Sequence, residues 1–248
     1  MNLKPVCLLV LELLASSSLT GARQTLRQNH RGKSQPTTFA ICEDVKPEPN
    51  KPTVIRGPLM ISHDGLYQSY VQVTVELPDA DHKDEYDCRN HSTLVVGNSK
   101  NGQFKSVLDV TGLDDATRGN GLQLVDWSRD SELLLADLFT WNYGSEGWQH
   151  NVVLYSPRTG ILKQKSLSAV FTKLRRTDCT FDGEIMGFLP DGRVALREFR
   201  NTKDEVEEFT FCGGPNEAYW ALNASTFQVT RINGGQTLNL NGHFEQPK

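Results

Sequence analysis

The sequence lacks the short motifs that identify most enzymes. It contains no HExxH, GxSxG, GxGxxG or Walker-type phosphate loop, which are the patterns that mark zinc hydrolases, serine hydrolases and nucleotide-binding proteins. It has no Cys-x-x-Cys pair either, and this disfavours a zinc site or a thioredoxin-like redox centre. The six histidines are scattered, and we interpret each as a surface or turn residue rather than a ligand. We therefore expect no cofactor and no metal.

The sequence also lacks a surplus of positive charge. Its 26 basic and 30 acidic residues give a net charge of −4, whereas nucleic-acid binders carry a basic face. Hydrophobic residues make up 38% and charged residues 23%, as in ordinary soluble globular proteins. The composition predicts a folded protein that does not bind nucleic acid.

Residues 1–22 have the three zones of a secretory signal peptide. A short positive start that includes Lys4 precedes an apolar stretch at residues 5–15, and small or polar residues follow at 16–22. A membrane anchor is the alternative, but the apolar stretch is about half the roughly 20 residues that a spanning helix needs, and Glu12 lies inside it. We predict cleavage near Arg23, a secreted or periplasmic location, and no stable membrane insertion afterwards.

Cysteine usage agrees with export. Cleavage near Arg23 removes Cys7 and leaves an even number of cysteines, which in an exported chain is typical of disulfides. Three pairings are open, and we favour Cys42 with Cys88 and Cys179 with Cys212 because each bridge then stays within one segment. The four remaining cysteines are Cys42, Cys88, Cys179 and Cys212.

Composition divides the mature chain into three parts. Residues 23–56 are rich in polar residues and proline and predict a loosely ordered lead-in. Residues 234–248 predict a polar tail. Between them, residues 57–233 contain a pattern that occurs three times: an apolar strand, a tight turn, a long apolar strand, a polar excursion, a third strand, a second turn and a fourth strand. The first turns are at 62–65, 128–131 and 189–192, and the second turns are at 98–102, 156–160 and 223–226.

These turns resemble those of a known repeat family. The stretches Trp127-Ser128-Arg129-Asp130 and Phe188-Leu189-Pro190-Asp191-Gly192 are similar to the WSPDG turn of TolB-like and WD40-like β-propeller blades, and residues 154–160 are similar to the LYDxxTG segment of the same blades. The resemblance covers residues 57–233 and implies an all-β protein with about three four-stranded blades, an incomplete or atypical propeller. A β-sandwich built from the same hairpins is the alternative.

The stretch 141–150, which contains the second polar excursion, holds the strongest candidate contact residues. Trp141, Tyr143 and Trp148 lie close together beside glycines, and large aromatic faces of this kind bind sugars, peptides or protein partners. In the alternative interpretation Trp141 ends one core strand and Trp148 begins the next, which leaves only Tyr143 exposed. We predict that Trp141, Tyr143 and Trp148 form the ligand- or partner-binding surface.

Two charged clusters predict solvated surfaces instead. Residues 79–87 concentrate acidic side chains, but their spacing is not that of a calcium loop and Lys83 interrupts them. A basic group predicts a solvated edge, because no aromatic residues alternate with its charges. The basic group consists of Lys163, Lys165, Lys173, Arg175 and Arg176.

Two functions remain open. The first is an exported, non-enzymatic binding module for a protein or carbohydrate that makes contact through its inter-strand loops. The second is an exported hydrolase acting on glycans, with Asp126, Asp130 and Asp137 as candidate carboxylates, since glycosidases use two carboxyl groups across a cleft. Because the catalytic motifs are missing, the sequence favours the binding module and assigns no catalytic residue.

Overall fold

A computed structural model describes residues 48, 51–76, 89–110, 118–142, 148–200, 210–214, 216–232, 238–240 and 243–245. All of them belong to one compact unit, Gln35–Lys248. They form three antiparallel sheets, one short hairpin and one helix. The predicted all-β fold class with four-stranded units is confirmed.

Several predictions fall outside the described residues. The predicted signal peptide, the acidic excursion at 79–87, Cys42, Cys88 and Tyr143 all lie there, so these stay predictions. Within the part of the chain that is described, no helix is long and apolar enough to cross a membrane.

The first sheet corresponds to the first predicted unit, with the order β1-β3-β4-β5. Its edge strand is split, because β1 and β2 pair with the two halves of β3, and Pro58 in the gap has no backbone N–H to donate. The N–H of Gly57 instead binds the carbonyl of Val71 at 2.9 Å. β1 falls within the stretch 23–56 that the sequence assigned to the lead-in. The strands are β1 (Thr53–Arg56), β2 (Met60–Ile61), β3 (Tyr67–Glu76), β4 (Arg89–Asn98) and β5 (Phe104–Val110).

The second sheet lies between the other two and has the order β6-β7-β8-β9. Side chains of β7 are buried without interruption from Leu134 to Phe139, since one face packs on the first sheet and the other on the third. A strand covered on both faces explains why this stretch of the sequence is nearly all apolar. The strands are β6 (Arg118–Trp127), β7 (Leu134–Asn142), β8 (Trp148–Ser156) and β9 (Ile161–Ser166).

The third sheet has the order β10-β11-β12-β13, and a two-stranded hairpin follows it. Leu240 of the hairpin packs on the outer face of this sheet, against Leu189 and Tyr219. The three sheets and the hairpin therefore stack face against face in chain order, as in a β-propeller-like protein. The strands are β10 (Gly183–Phe188), β11 (Val194–Glu198), β12 (Ala218–Leu222), β13 (Val229–Ile232), β14 (Leu238–Leu240) and β15 (His243–Glu245).

The helix α1 (Leu167–Arg175) follows β9 directly and was not predicted. The hydroxyl of Ser166 caps its first turn by accepting the N–H of Ala169 at 3.3 Å. Its apolar face buries Leu167, Val170 and Phe171 in the core between the second and third sheets. The helix ends where Arg176 adopts the left-handed conformation, with φ of 59°.

The tight turns repeat in atomic detail. In the first unit, Ser62 Oγ donates to Asp64 Oδ1 at 2.7 Å, and in the second unit Ser128 Oγ donates to Asp130 Oδ1 at 2.6 Å. In the third unit Asp191 Oδ1 accepts the backbone N–H two residues further on, at 3.1 Å. Aspartate side chains stabilise such turns by replacing backbone hydrogen bonds, so the three predicted hairpins are confirmed.

Candidate functional site

A pocket of about 250 Å³ lies at one end of the third sheet, beside the end of α1. Two of its walls come from secondary structure, the strands β11 to β13 and the helix, and a third comes from Gly214 and Asn216, in the polar excursion between β11 and β12. The lining residues are Arg175, Glu198, Gly214, Asn216, Ala218, Trp220 and Arg231.

A fully buried carboxylate forms part of one wall of this pocket. Glu198 is 0% exposed and is the last residue of β11, on the same face as the core residues Val194 and Leu196. Arg175 Nη2 donates to both of its oxygens, at 3.1 and 3.0 Å, and Trp220 Nε1 donates to one of them at 2.9 Å. A buried charge is tolerated only when it is paired and hydrogen-bonded, and Glu198 meets both conditions.

Arg175 connects the helix to this wall. It is the last residue of α1, where a cation interacts favourably with the helix dipole, and its guanidinium carbon lies 5.9 Å from the ring centroid of Trp220. Its side chain is 36% exposed, so one end of the guanidinium faces Glu198 while the rest remains open to the pocket mouth. Arg175 is exposed, as predicted for the basic group, but it also pairs with the buried Glu198.

A disulfide fixes the two sides of the pocket together. Cys179 and Cys212 are bonded, with their Cα atoms 4.9 Å apart, which confirms this predicted pair. Cys179 follows α1, and Cys212 precedes Gly214 by two residues. The backbone N–H of Cys212 also donates to the carbonyl of Thr180 at 2.8 Å. The bridge therefore holds the helix end and the excursion end at a fixed separation.

The opposite face of β11 carries a second charged cluster. Arg197 donates to Glu184 at 3.1 Å and to Glu217 at 2.8 Å, and the hydroxyl of Tyr219 donates to Glu217. Burial alone lowers the pKa of Arg197, but the hydrogen bonds to Glu217 and Glu184 outweigh it and raise that pKa above its ordinary value. This cluster holds Arg197 charged and fixed against the sheet.

His150 corrects the prediction made for the histidines. It is buried between the second and third sheets, and its Nδ1 lies 2.8 Å from Oδ2 of Asp137, which is also buried. The rings of Phe139 and Phe181 flank it at 6.2 Å each. The prediction of a surface or turn residue is therefore wrong for His150. Its cross-strand neighbour is Phe139, and Asp137 lies two residues before Phe139 on the same strand. The Asp137 carboxylate pairs with the imidazole and so offsets the cost of burying it.

Two of the predicted aromatic contact residues, Trp141 and Trp148, lie at the excursion end of the second sheet. Trp141 is 8% exposed, and its indole covers Gly119 so closely that a Cβ there would lie 2.2 Å from the ring. Trp148 is half-buried and lies directly opposite in the register, with ring centroids 5.5 Å apart. Trp141 thus falls near the end of β7 and Trp148 begins β8. Binding through these rings stays a prediction.

The candidate glycosidase carboxylates are each engaged within the fold. Asp126 Oδ2 accepts the backbone N–H of Phe188 at 2.9 Å, Asp130 belongs to a tight turn, and Asp137 pairs with His150. Among the described residues, no group of three or more histidine, cysteine, aspartate or glutamate side chains is arranged to hold a metal ion.

No family model matches this sequence, and no curated protein matches it. Solved structures match part of this chain. A crystal structure of an ACO/RPE65 chimera is 9% identical to this chain, with a TM-score of 0.36. The match covers 75% of this chain and 40% of the chimera. An oligogalacturonate lyase in complex with manganese is 13% identical to this chain, with a TM-score of 0.25. The match covers 71% of this chain and 52% of the lyase.

A second oligogalacturonate lyase, from Vibrio parahaemolyticus, is 9% identical with a TM-score of 0.26, covering 71% of this chain and 53% of its own. The chain thus spans about half the length of the solved structures it matches, or less. At these TM-scores the similarity assigns neither a family nor an activity.

Proposed function

We propose that this protein is an exported, non-enzymatic binding module that holds its ligand in the pocket beside Glu198, at the excursion end of the third sheet. The observation that carries the proposal is the fully buried Glu198 carboxylate, clamped by Arg175 and Trp220 in the wall of an open pocket. The proposal keeps the predicted mode of contact, since Gly214 and Asn216 belong to the end of an inter-strand excursion.

The energetics of this wall support a role in binding. An apolar pair of similar volume often replaces a buried ion pair with no loss of stability, so the fold alone does not require charge at Arg175 and Glu198. A ligand that contacts a rigid cation and an indole face would require this charge. Binding improves when the contacting groups are held in position before the ligand arrives.

Hydrolysis is less well supported than binding. A glycosidase needs two carboxyl groups about 5–10 Å apart across a cleft. Asp126, Asp130 and Asp137 are each tied to a different structural feature, and both oxygens of Glu198 are held by Arg175. Export is supported by the Cys179–Cys212 disulfide, since such bonds persist in oxidising compartments.

Binding and catalysis can be separated with one experiment. The secreted protein would be applied to arrays of oligosaccharides and peptides, each hit would be titrated calorimetrically, and the same hits would be assayed for released reducing ends or new peptide termini. We expect saturable binding without product, weakened when Arg231 is replaced by Gln. Product release that is lost in Asp126→Asn or Asp137→Asn would instead establish the hydrolase.

A further inference from the structure

We infer that the pocket beside Glu198 binds the carboxylate group of its ligand and that Arg231 is the residue that pairs with it. The inference rests on the proposed binding function and adds the chemical class of the group recognised. The carboxylate could belong to an acidic sugar or to the C-terminus of a peptide, and both present the same planar monoanion.

The described residues that line the pocket carry one positive charge in excess. Arg175 and Glu198 compensate each other through hydrogen bonds at 3.1 and 3.0 Å. Arg231 lies on β13 directly opposite Trp220 in the register, and its side chain is exposed. Among the described residues, no acidic side chain forms an ion pair with Arg231. The pocket therefore attracts a single negative charge.

The geometry of the cation favours a carboxylate. A guanidinium is planar and presents paired N–H donors that match the two oxygens of a carboxylate. Phosphate groups also bind arginine, but they carry close to two negative charges. The described lining carries one excess positive charge, which balances one negative charge on the ligand. A monoanion is the better match.

The remaining lining limits the size of the group that enters. A volume of about 250 Å³ lies just below the usual range for drug-sized ligands, so it suits one sugar ring or one amino-acid residue. The indole of Trp220 supplies an apolar wall, and the Asn216 amide can donate or accept hydrogen bonds. The space above Gly214 is open, because a Cβ placed there would meet no atom within 4 Å.

The test uses small probes with and without a carboxylate. Sodium glucuronate is compared with glucose, and N-acetylglycine with N-acetylglycinamide, on the ¹⁵N-labelled secreted protein. The indole N–H of Trp220, which donates to Glu198, reports on the pocket directly in a ¹H–¹⁵N spectrum. We expect either or both acids to shift this signal in a saturable manner and their neutral partners to leave it in place.

Substitutions then assign the partner residue. Arg231→Gln should weaken binding of the carboxylate probe at least tenfold, while Arg129→Gln, which removes an exposed arginine from a turn of the second unit, should leave the affinity unchanged. Both side chains are exposed, so equal melting temperatures are expected and would show that folding is intact. Inorganic phosphate, as a third probe, should bind more weakly than the acids.

The outcomes that would contradict the inference can be distinguished from one another. Equal shifts with acids and neutral partners would overturn the carboxylate assignment while leaving the pocket as a binding site. Tighter binding of phosphate, or an unchanged affinity in Arg231→Gln, would overturn it as well. If no probe moves the Trp220 signal, the inference fails. If an array ligand also binds without moving that signal, the pocket itself is the wrong site.

Discussion

Arg175 Nη2 lies 3.0 Å from Oε2 of Glu198, a carboxylate with no exposed surface. The two residues are 23 positions apart in the sequence, one at the end of α1 and the other at the end of β11. Their contact joins the helix to the sheet and forms one wall of the pocket. Because one partner is fully buried, the energetic effect of removing the other can be tested.

We expect Arg175→Met to lower the free energy of unfolding by about 3 kcal/mol, because it leaves the Glu198 charge buried without its partner. The double variant Arg175→Met/Glu198→Leu should recover most of this loss, since no charge then remains buried. Urea denaturation of the single and double variants measures both values. A double variant less stable than Arg175→Met would show that the pair stabilises the fold beyond satisfying its own charges.

The aspartates of the repeated turns make the stability of the fold depend on pH in the acid range. The hydroxyl of Ser128 is the largest cause holding the pKa of Asp130 below its ordinary value of 3.8, and the pKa values of Asp64 and Asp191 are lowered likewise. A carboxyl group whose pKa is lower in the folded state stabilises the protein above the unfolded-state pKa, and this stabilisation is lost as pH falls through the folded-state pKa.

Stability should therefore decrease as pH falls below about 4, and Ser128→Ala should make that decrease shallower by raising the pKa of Asp130 towards its ordinary value. Thermal melts between pH 2 and 6 provide the measurement. An acid limb of the same slope in wild type, Ser128→Ala and Asp130→Asn would mean that Asp130 does not contribute to the pH dependence.

The strands and turns were accessible from the sequence because their signals are local. Asp64 followed by Gly65 and Asp191 followed by Gly192 mark hairpins, and the bridge between Cys179 and Cys212 was predicted because it stays within one segment. The helix α1 was missed because its basic residues were interpreted as a charged edge. The spacing of Leu167, Val170 and Phe171, which places all three on one helix face, was the available signal.

The pocket could not be found from the sequence in the same way. Its three central residues, Arg175, Glu198 and Trp220, are separated by 23 and 22 positions, and no spacing rule connects them. Glu198 also ends an apolar strand, where a charged residue is normally interpreted as the first exposed position. Only the tertiary arrangement shows that it faces inward towards the helix.

Gly65 provides a test of the turn geometry. Its φ is +70°, and a Cβ at this position would meet no atom within 4 Å. Gly65→Ala should therefore lower the free energy of unfolding by about 1 kcal/mol through backbone conformation alone. Gly214→Ala is the matched control, since it also has open space but no positive φ. Equal stabilities of the two variants by urea denaturation would contradict the turn assignment.

The disulfide should stabilise both the fold and the pocket. The cross-link closes a loop with a sequence separation of 33, for which the chain-entropy model predicts about 3–4 kcal/mol. Cys179→Ala/Cys212→Ala should lose this stability and weaken binding of any probe that shifts the Trp220 signal, because the helix end and Gly214 are no longer held together. Unchanged affinity in a folded double variant would show that the bridge does not position the pocket.

The role of the aromatic residues near the second excursion can be decided by separating stability from affinity. Trp141 is 8% exposed and lies against Gly119, so Trp141→Ala should lower the free energy of unfolding by about 3–5 kcal/mol, as expected for removal of a buried tryptophan. Trp148 is half-buried, and we expect a smaller loss for Trp148→Ala.

If these rings belong to the core, Trp148→Phe should restore most of the stability, because Phe can still pack on Phe139 and Trp141. Affinity for a ligand found on the arrays should then be the same in wild type, Trp148→Ala and Trp148→Phe. If they form the predicted contact surface, affinity should fall by tenfold or more in Trp148→Ala and Tyr143→Ala at nearly unchanged melting temperature, as for binding hot spots. In that case the ligand would be held at the second excursion, and the pocket beside Glu198 would not be the main contact site.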